Sequence, residues 1–321
     1  MPSNPGINLR EKLNLSEKDL EVIRKKTLAG GEIENSDQFE DWVKSRFLPN
    51  CVKIENEDYA QVCVSALKIL PSVAATDYGS SRQRDMGQLW ADMIRGYLGE
   101  IAVKIFIKNN WKVEVFLDHE KGSLQDYLPM DIHEVLLPNG QRQTPKIKIS
   151  IKATKWNRIW LDIPGDQFNH SDIHILVKVG VGRDHLFAFF KEISVFKDKI
   201  LPVGEKIGAL THSDSETLFN ELPSFQPIPA YIFGFIRKND AFKKLPYEGK
   251  KGRKNYNITG WKGPISPGDL DEIKKREKAP GKIEFEGIRK FSHNQGYLFN
   301  AGNLLWGKKD WDEVIEEIKS F

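Results

Sequence analysis

The sequence of 321 residues has few cysteines and no segment suited to crossing a membrane. Two cysteines, Cys51 and Cys63, cannot build a disulfide framework, so we expect a reducing cytosol. The best membrane candidate, an uncharged run at 222–236, has 15 residues and contains three prolines, whereas a transmembrane helix needs roughly 20 apolar residues. The first residues, MPSNPG, lack the basic and then apolar segments of a secretion signal. These absences predict a cytoplasmic protein.

The chain also lacks a strong net charge, because its formal charge at pH 7 is only +3. That value alone does not indicate a nucleic-acid partner. The basic residues are nevertheless concentrated: residues 138–161 contain six basic residues and no acid, and residues 237–255 contain eight basic residues and two acids. Two cationic stretches can contact one polyanion at two places, or can simply be solvated loops, and the charge pattern leaves both interpretations open.

The apolar residues of the first part of the chain follow the spacing of helices. They predict helices before about residue 75 and a longer helix at about 82–107, where apolar residues recur every three or four positions. Gly96 and Gly99 lie inside this longer helix, although each glycine costs a helix about 1 kcal/mol. We therefore expect a close backbone contact at this pair, and Glu100 follows it directly.

After residue 110 the apolar spacing changes to the period of two that strands have. The pattern predicts strands near 111–117, 131–137, 146–152, 173–179 and 186–190. In the third of these, three isoleucines alternate with Lys148, Ser150 and Lys152. One face would be buried, and the other would present a serine between two lysines. A helix followed by strands that are partly joined as hairpins predicts an α+β fold with a mixed sheet.

A set of polar residues falls in order on these predicted elements. Glu100 lies late in the helix, Asp131 opens a strand, and Lys152 follows Ser150 by two positions on the next strand. The set suits phosphodiester hydrolysis, which needs a divalent cation near the phosphate. Mg²⁺ prefers oxygen ligands, which the Asp131 and Glu100 carboxylates and the Ile151 carbonyl could supply. Lys152 would be a point charge that stabilises the attacking water or the charge developing on phosphorus.

Residues 82–190 resemble the PD-(D/E)XK nuclease superfamily, whose best-known members are type II restriction endonucleases. The helical glutamate of the family matches Glu100, and its metal-binding aspartate matches Asp131 in the PMD sequence at 129–131. Its catalytic lysine matches Lys152 in the ISIK sequence at 149–152. The family pattern is short and its spacing is loose, so the order helix, strand, hairpin, strand matters more than the individual letters.

Two residues depart from the family pattern. Met130 separates the proline from the aspartate, and Ser150 stands where the family usually has an acid. A serine here resembles the subgroup of restriction enzymes that cut CCGG-type sites, which takes the missing carboxylate from a residue downstream of the lysine. Asp162 and Asp166 are the downstream candidates in this chain. If neither reaches the metal, Glu100 must serve as the second acidic ligand.

The resemblance implies a Mg²⁺-dependent, site-specific endonuclease that acts on double-stranded DNA. It implies a homodimer, because a palindromic site mirrors protein two-fold symmetry, and a cognate DNA methyltransferase as a separate protein. We expect a helical N-terminal region at 1–80, a catalytic core at 81–222, and an irregular, basic region for DNA recognition or dimerisation at 223–321. The expected DNA contacts are Lys148, Lys155, Arg158, Lys250, Lys251, Arg253 and Lys254.

The sequence is also compatible with other functions. The chain could be a structure-selective nuclease for branched or damaged DNA, or a DNA-binding protein whose nuclease core is inactive, with Ser150 as the sign of that loss. A third alternative is an interaction domain without a nucleic-acid partner. His170 and His174 have the four-residue spacing of zinc ligands on a helix. Because His174 lies in a segment of period two, however, we expect surface or strand histidines instead.

Overall fold

The computed structural model describes residues 39–77, 84–117, 130–156, 158, 160–182, 184–239, 248–259, 264–279, 281–285 and 296–320. These ranges contain both helices and strands. The helices are α1 Phe39–Trp42, α2 Asn56–Asp77, α3 Met86–Trp111, α4 Gly165–His170, α5 His185–Glu192, α6 Leu201–Lys206, α7 His212–Glu221, α8 Pro267–Arg276 and α9 Lys308–Ile318. The π-helical segments are Val43–Phe47 and Phe196–Ile200, and the 3₁₀ segments are Leu48–Asn50 and Ala301–Asn303.

The strands of the described ranges form four small sheets. In chain order they are β1 Cys51–Ile54, β2 Val115–Leu117, β3 Ile132–Leu136, β4 Arg142–Gln143, β5 Ile149–Lys155, β6 Trp160–Pro164, β7 Ile173–Val179, β8 Ile228–Arg237, β9 Glu248–Lys251, β10 Asn255–Thr259, β11 Pro264–Ile265, β12 Lys282–Phe285 and β13 Gly296–Asn300. The largest sheet has the order β1-β8-β7-β5, and the others have the orders β2-β3-β4, β11-β13-β6 and β12-β10-β9.

The central sheet is mixed, which confirms the predicted α+β fold class. Its antiparallel pairs are β1 with β8 and β8 with β7, whereas β7 and β5 run parallel. Parallel strands need a crossover connection, and here the chain returns from β5 to β7 through β6 and α4. Within the described residues β5 pairs only with β7, so its other edge is open to contacts from residues outside the sheet.

Both faces of the central sheet are covered. On one face Ile149 and Ile151 of β5 pack in the same buried cluster as Leu98 and Ile101 of α3. On the other face Leu176 of β7 belongs to a second cluster, which includes aromatic residues of α4, β8 and β13. Because β7 lies between β5 and β8 with both faces covered, all seven of its residues are buried.

Helix α3 approaches β5 most closely at Gly99. A Cβ atom added to Gly99 would lie 2.6 Å from the Cβ of Ala153, a distance that leaves no room for it. The same construction at Gly96 meets nothing within 4 Å. The expectation of a close backbone contact is therefore confirmed for Gly99 and wrong for Gly96.

Several predicted strands match the structure, and one is wrong. The predicted strand at 173–179 coincides with β7, and the one at 131–137 contains β3. Residues 186–190, predicted as a strand, instead belong to the helix α5. A short apolar run fits either element, and Tyr59 of α2 packs edge-on against Phe189, with a 5.2 Å distance between ring centroids. In the helical conformation of residues 186–190, Phe189 thus packs against another helix.

The central sheet extends across the expected region boundaries at 80/81 and 222/223. Strand β1 comes from the first expected region and β8 from the last, and both pair inside the same sheet. Helix α9 also places Trp311 and Ile315 in the cluster that contains β5. No helix of the described ranges is both long enough and apolar enough to cross a bilayer.

The Gly99 contact predicts opposite effects for two similar substitutions in α3. Gly99→Ala forces the helix away from Ala153 and should lower the free energy of unfolding by about 1–3 kcal/mol. Gly96→Ala, the matched control, has space for its methyl group and should raise that free energy by up to about 1 kcal/mol. Urea unfolding of the two variants measures both effects, and equal shifts in one direction would contradict the proposed contact.

Candidate active site

Asp131 lies against the open edge of β5 and is held there at two points. Its backbone N–H donates to the Ile149 carbonyl, with an N···O distance of 2.9 Å. Its carboxylate oxygen Oδ2 accepts a hydrogen bond from the Ile151 N–H. Asp131 directly precedes β3, so these bonds attach the start of one strand to the middle of another. The carboxylate is therefore located within one residue of Ser150 and Lys152 along the chain of β5.

The backbone of Ile151 places an oxygen atom on the same edge. In an extended strand the N–H and C=O of one residue point to the same side, as the exchanged bonds of a paired strand show. The Ile151 N–H points towards Asp131, so its carbonyl also points to that side and away from β7. The structure thus brings together the Asp131 carboxylate and the Ile151 carbonyl, two of the oxygen groups that the sequence predicted as ligands.

Ser150 and Lys152 lie on the face of β5 opposite to the buried isoleucines. Their partners across the parallel pair are His174 for Ser150 and Leu176 for Lys152. Ser150 is buried, with 5 % of its surface exposed, and Lys152 is half-buried. The predicted open face with a serine between two lysines is therefore largely covered, and Lys152 stands at the boundary between the interior and the solvent.

Glu100 is brought to β5 by the glycine that precedes it. Gly99 contacts Ala153, which directly follows Lys152, so Glu100 and Lys152 each adjoin this contact on their own element. The Glu100 side chain is 9 % exposed. A carboxylate is rarely this buried unless other groups compensate its charge. The backbone of Glu100 therefore lies close to β5, on the face of the strand opposite to the side chain of Lys152.

The two downstream acids have different positions. Asp162 lies on β6 opposite Leu298, a residue of a third cluster formed with β10 and α8. Its neighbours Leu161 and Ile163 point to the other side, into the cluster that contains Leu176. Asp162 therefore lies on the face of β6 that points away from the side occupied by Lys152. Asp166 belongs to α4, but its side chain is outside the described part of the structure.

The oxygen groups at the β5 edge fit a hard cation that keeps several water ligands. Mg²⁺ is commonly held by one or two carboxylates together with water, and Asp131, Glu100 and the Ile151 carbonyl are groups of this kind. Within the described ranges, no three His, Cys, Asp or Glu side chains are grouped so that they could hold a metal ion.

The predicted DNA-binding residues are all exposed and occupy two surfaces. Lys148 precedes β5 and Lys155 ends it, about 23 Å apart at 3.3 Å per residue. The second group lies on β9 and the turn that leads to β10: Lys250, Lys251, Arg253 and Lys254. Residues of β10 pack in one cluster with Trp160 at the start of β6, two residues after Arg158. The fold thereby connects the two cationic stretches through β6.

A surface cleft of about 350 Å³ lies beside Lys148, at the ends of β5, β7 and β8. Its lining includes Arg237, which forms an ion pair with Glu317 through contacts of 2.8 and 2.9 Å. Another lining residue, Asp172, accepts the backbone N–H of Lys148 at 2.9 Å. Because acids and cations both line the cleft, its charge does not select an anion.

His174 lies on a strand, β7, in agreement with the expectation of a surface or strand histidine, and it is buried. It is 0 % exposed, and its ring stacks on Phe168 with centroids 5.4 Å apart. Its pKa is lowered to about 4, mainly by burial and then by the charge of Lys152, whereas the Phe168 backbone acts in the opposite direction. Within the part of the chain that the structure describes, neither ring nitrogen makes a hydrogen bond of good geometry. The sequence feature that could have indicated this burial is the position of a histidine within a strongly apolar strand.

Comparison of the chain with protein-family models, with curated proteins and with solved structures gave no match in any of the three.

The buried His174 predicts a loss of stability in acid. Its pKa is about 4 in the folded protein, below the ordinary value of 6.5, so the unfolded chain binds the proton more readily. Above pH 6.5 the ring is neutral in both states, and stability should fall as the pH drops from 6.5 to about 4. The full loss is on the order of 3 kcal/mol. Urea unfolding at several pH values measures it, and His174→Phe should lose this part of the pH dependence. Parallel stability curves for the two proteins would contradict the prediction.

The sequence analysis expected Lys155 and Arg158, both exposed near the end of β5, to contact DNA, and the salt dependence of binding tests this expectation. Lys155→Ala combined with Arg158→Ala should reduce the slope of log K against log salt concentration by up to about 2, because each phosphate contact contributes about 0.9. The control combines Lys308→Ala and Lys319→Ala, which remove lysines already paired with acids of α9 at 2.8 Å. Fluorescence anisotropy with a labelled duplex measures the slopes. Equal slopes for both double variants would exclude this surface from DNA binding.

Proposed function

We propose that this protein is a Mg²⁺-dependent endonuclease that hydrolyses phosphodiester bonds of double-stranded DNA at specific sites. The observation that carries the proposal is the attachment of Asp131 to the edge of β5, one residue from Ser150 and Lys152. The order of α3, β2, the β3–β4 hairpin and β5 supports it, because the nuclease family that the chain resembles has its motif residues on elements in this order. Glu100 is the candidate for a second carboxylate, because its backbone directly follows the contact of Gly99 with β5.

The chemistry of the reaction assigns a different task to each residue. A water oxygen forms a bond to phosphorus while one P–O ester bond breaks, and a water proton ends on the leaving oxygen. A bound Mg²⁺ supplies charge neutralisation at the phosphate and lowers the pKa of bound water. Asp131, Glu100 and the Ile151 carbonyl would hold the ion. Lys152 contributes a positive charge to the attacking water or to the phosphate as negative charge develops.

The wider expectations about the system are part of this proposal. A homodimer that reads a palindromic site and a separate DNA methyltransferase follow from the same resemblance, whereas the cytoplasmic location is the expectation from the small number of cysteines and the lack of a secretion signal. The exposed cations on β5 and β9 would contact phosphates and set the position of the duplex. Ser150 supports one competing function, a DNA-binding protein with an inactive nuclease core, because it supplies no carboxylate.

Two substitutions test the catalytic assignment. Asp131→Asn keeps an oxygen that can accept the Ile151 N–H but removes the charge, and Lys152→Ala removes the ammonium group. Each should reduce cleavage of plasmid and phage DNA in Mg²⁺ by at least about 100-fold, which corresponds to roughly 3 kcal/mol of lost transition-state stabilisation. Gel analysis of the digests measures this, with an EDTA control, and the unfolding midpoint of each variant checks that it has folded.

Matched controls come from the same architecture. Lys53→Ala removes another half-buried lysine, on β1 at the opposite edge of the central sheet. Asp162→Asn removes the acid that points away from the side of β6 facing Lys152. Both controls should cut DNA as the wild type does. Loss of activity in Asp162→Asn would identify that residue as a metal ligand, whereas intact DNA in every lane with binding that survives EDTA would favour the inactive DNA-binding protein.

A further inference from the structure

His174 lies next to two residues of the candidate site and on their side of the sheet. In the parallel pair of β5 and β7 it is opposite Ser150, and Lys152 is the next residue of β5 on that face. Neighbouring strands are about 4.8 Å apart, so opposite side chains are within reach of each other. The charge of Lys152 also affects the ring of His174, as expected for nearby groups. Ser150 is therefore the neighbour of both other residues, with Lys152 next to it along β5 and His174 across from it on β7.

The ring of His174 makes good apolar contacts but poor polar ones. It is fully buried and stacks almost parallel to Phe168, at an angle of 11°. Among the described residues neither ring nitrogen makes a hydrogen bond of good geometry, although a backbone group of Phe168 lies near enough to favour the protonated ring. A buried nitrogen without a partner destabilises a fold, and natural structures keep few of them. A phenylalanine could make the same stack without this cost, so packing alone does not explain a histidine.

The hydrogen-bonding capacities of the three groups are complementary. A lysine ammonium group only donates, a serine hydroxyl donates one bond and accepts others, and a neutral imidazole has one nitrogen that accepts. Lys152 can therefore donate to the Ser150 hydroxyl, which in turn can donate to His174. The ring must be neutral for this, and burial keeps the pKa of His174 near 4. Lys238 opposes protonation of the ring, whereas Asp172 and the Phe168 backbone favour it.

We propose that His174 is a positioning residue, which acts through Ser150 to hold the ammonium group of Lys152 in place when DNA is bound. The pair of Ser150 and His174 would take over the hydrogen-bond acceptor function that a carboxylate two residues before the lysine would otherwise have. This inference rests on the proposed nuclease function. It gives a functional role to Ser150, which occupies the usual position of an acid, and to the buried His174.

The test compares the stability and the cleavage rate of a variant that keeps the ring stack. His174→Phe should raise the urea midpoint at pH 7 while lowering kcat for plasmid cleavage at least about 10-fold, with little change in KM. A substitution that only disturbs packing would lower the midpoint instead. His174→Asn and His174→Gln retain an acceptor at different distances from the backbone, and one of them should recover part of kcat. His170→Asn, at an exposed position on α4, is the control for loss of a histidine.

A double-mutant cycle tests whether His174 acts through Ser150. Residues that work in one chain of hydrogen bonds give non-additive losses. Ser150→Ala should lower kcat to about the level of His174→Phe, and the double variant should be no slower than the slower single variant.

The outcomes separate this inference from the proposed function. If wild-type protein cuts DNA and His174→Phe cuts with the same kcat, the inference is overturned and the nuclease function stands. If the losses of the two single variants multiply in the double variant, His174 does not act through Ser150. If neither Asn nor Gln restores any activity and the midpoint falls in all variants, the role of His174 is packing. A wild-type protein that cuts no DNA overturns the nuclease function and the inference with it.

Discussion

The arrangement of the candidate site depends on the bond between the Ile151 N–H and the Asp131 carboxylate. An edge strand exposes unpaired N–H and C=O groups, and here a side chain from the neighbouring hairpin satisfies one of them. The same bond fixes where the carboxylate lies along β5, so it determines the distance of Asp131 from Ser150 and Lys152. The site therefore uses a backbone group that the sheet itself leaves free, and the position of the acid is as well defined as that of the strand.

Around this edge the fold keeps charged groups at the boundary of the interior. Helix α3 covers one face of β5 and can approach it closely because Gly99 has no side chain to separate it from Ala153. The other face is covered by the aromatic cluster that includes Phe168 and Phe233. Lys152 stands half-buried between these layers. Electrostatic interactions between charged groups are stronger in such an environment than in water, which favours the proposed reaction at a phosphate.

Two buried polar residues of the central strands, His174 and Ser150, lower the stability of the fold but lie next to the candidate site. A neutral histidine that makes no well-formed hydrogen bond to the described residues destabilises the protein when it is buried in the central sheet, most of all in acid. Ser150, directly opposite, is also buried. Apolar residues at both positions would make a better core. Packing alone does not explain the pairing of these two polar residues beside Lys152, and the proposed reaction gives a reason for it.

The sequence alone determined the features that depend on neighbours in the chain. The change of apolar period from about 3.6 to two indicated a helix followed by strands, the run at 173–179 marked β7, and the order of Glu100, Asp131 and Lys152 pointed to one site. Tertiary contacts decided the rest. Residues 186–190 are helical beside Tyr59, and β1 and β8 join the central sheet from distant parts of the chain. Asp162 lies on the face of β6 that points away from the side of Lys152, and His174 is fully buried. Periodicity shows which side chains share a face, whereas long-range packing determines what covers that face.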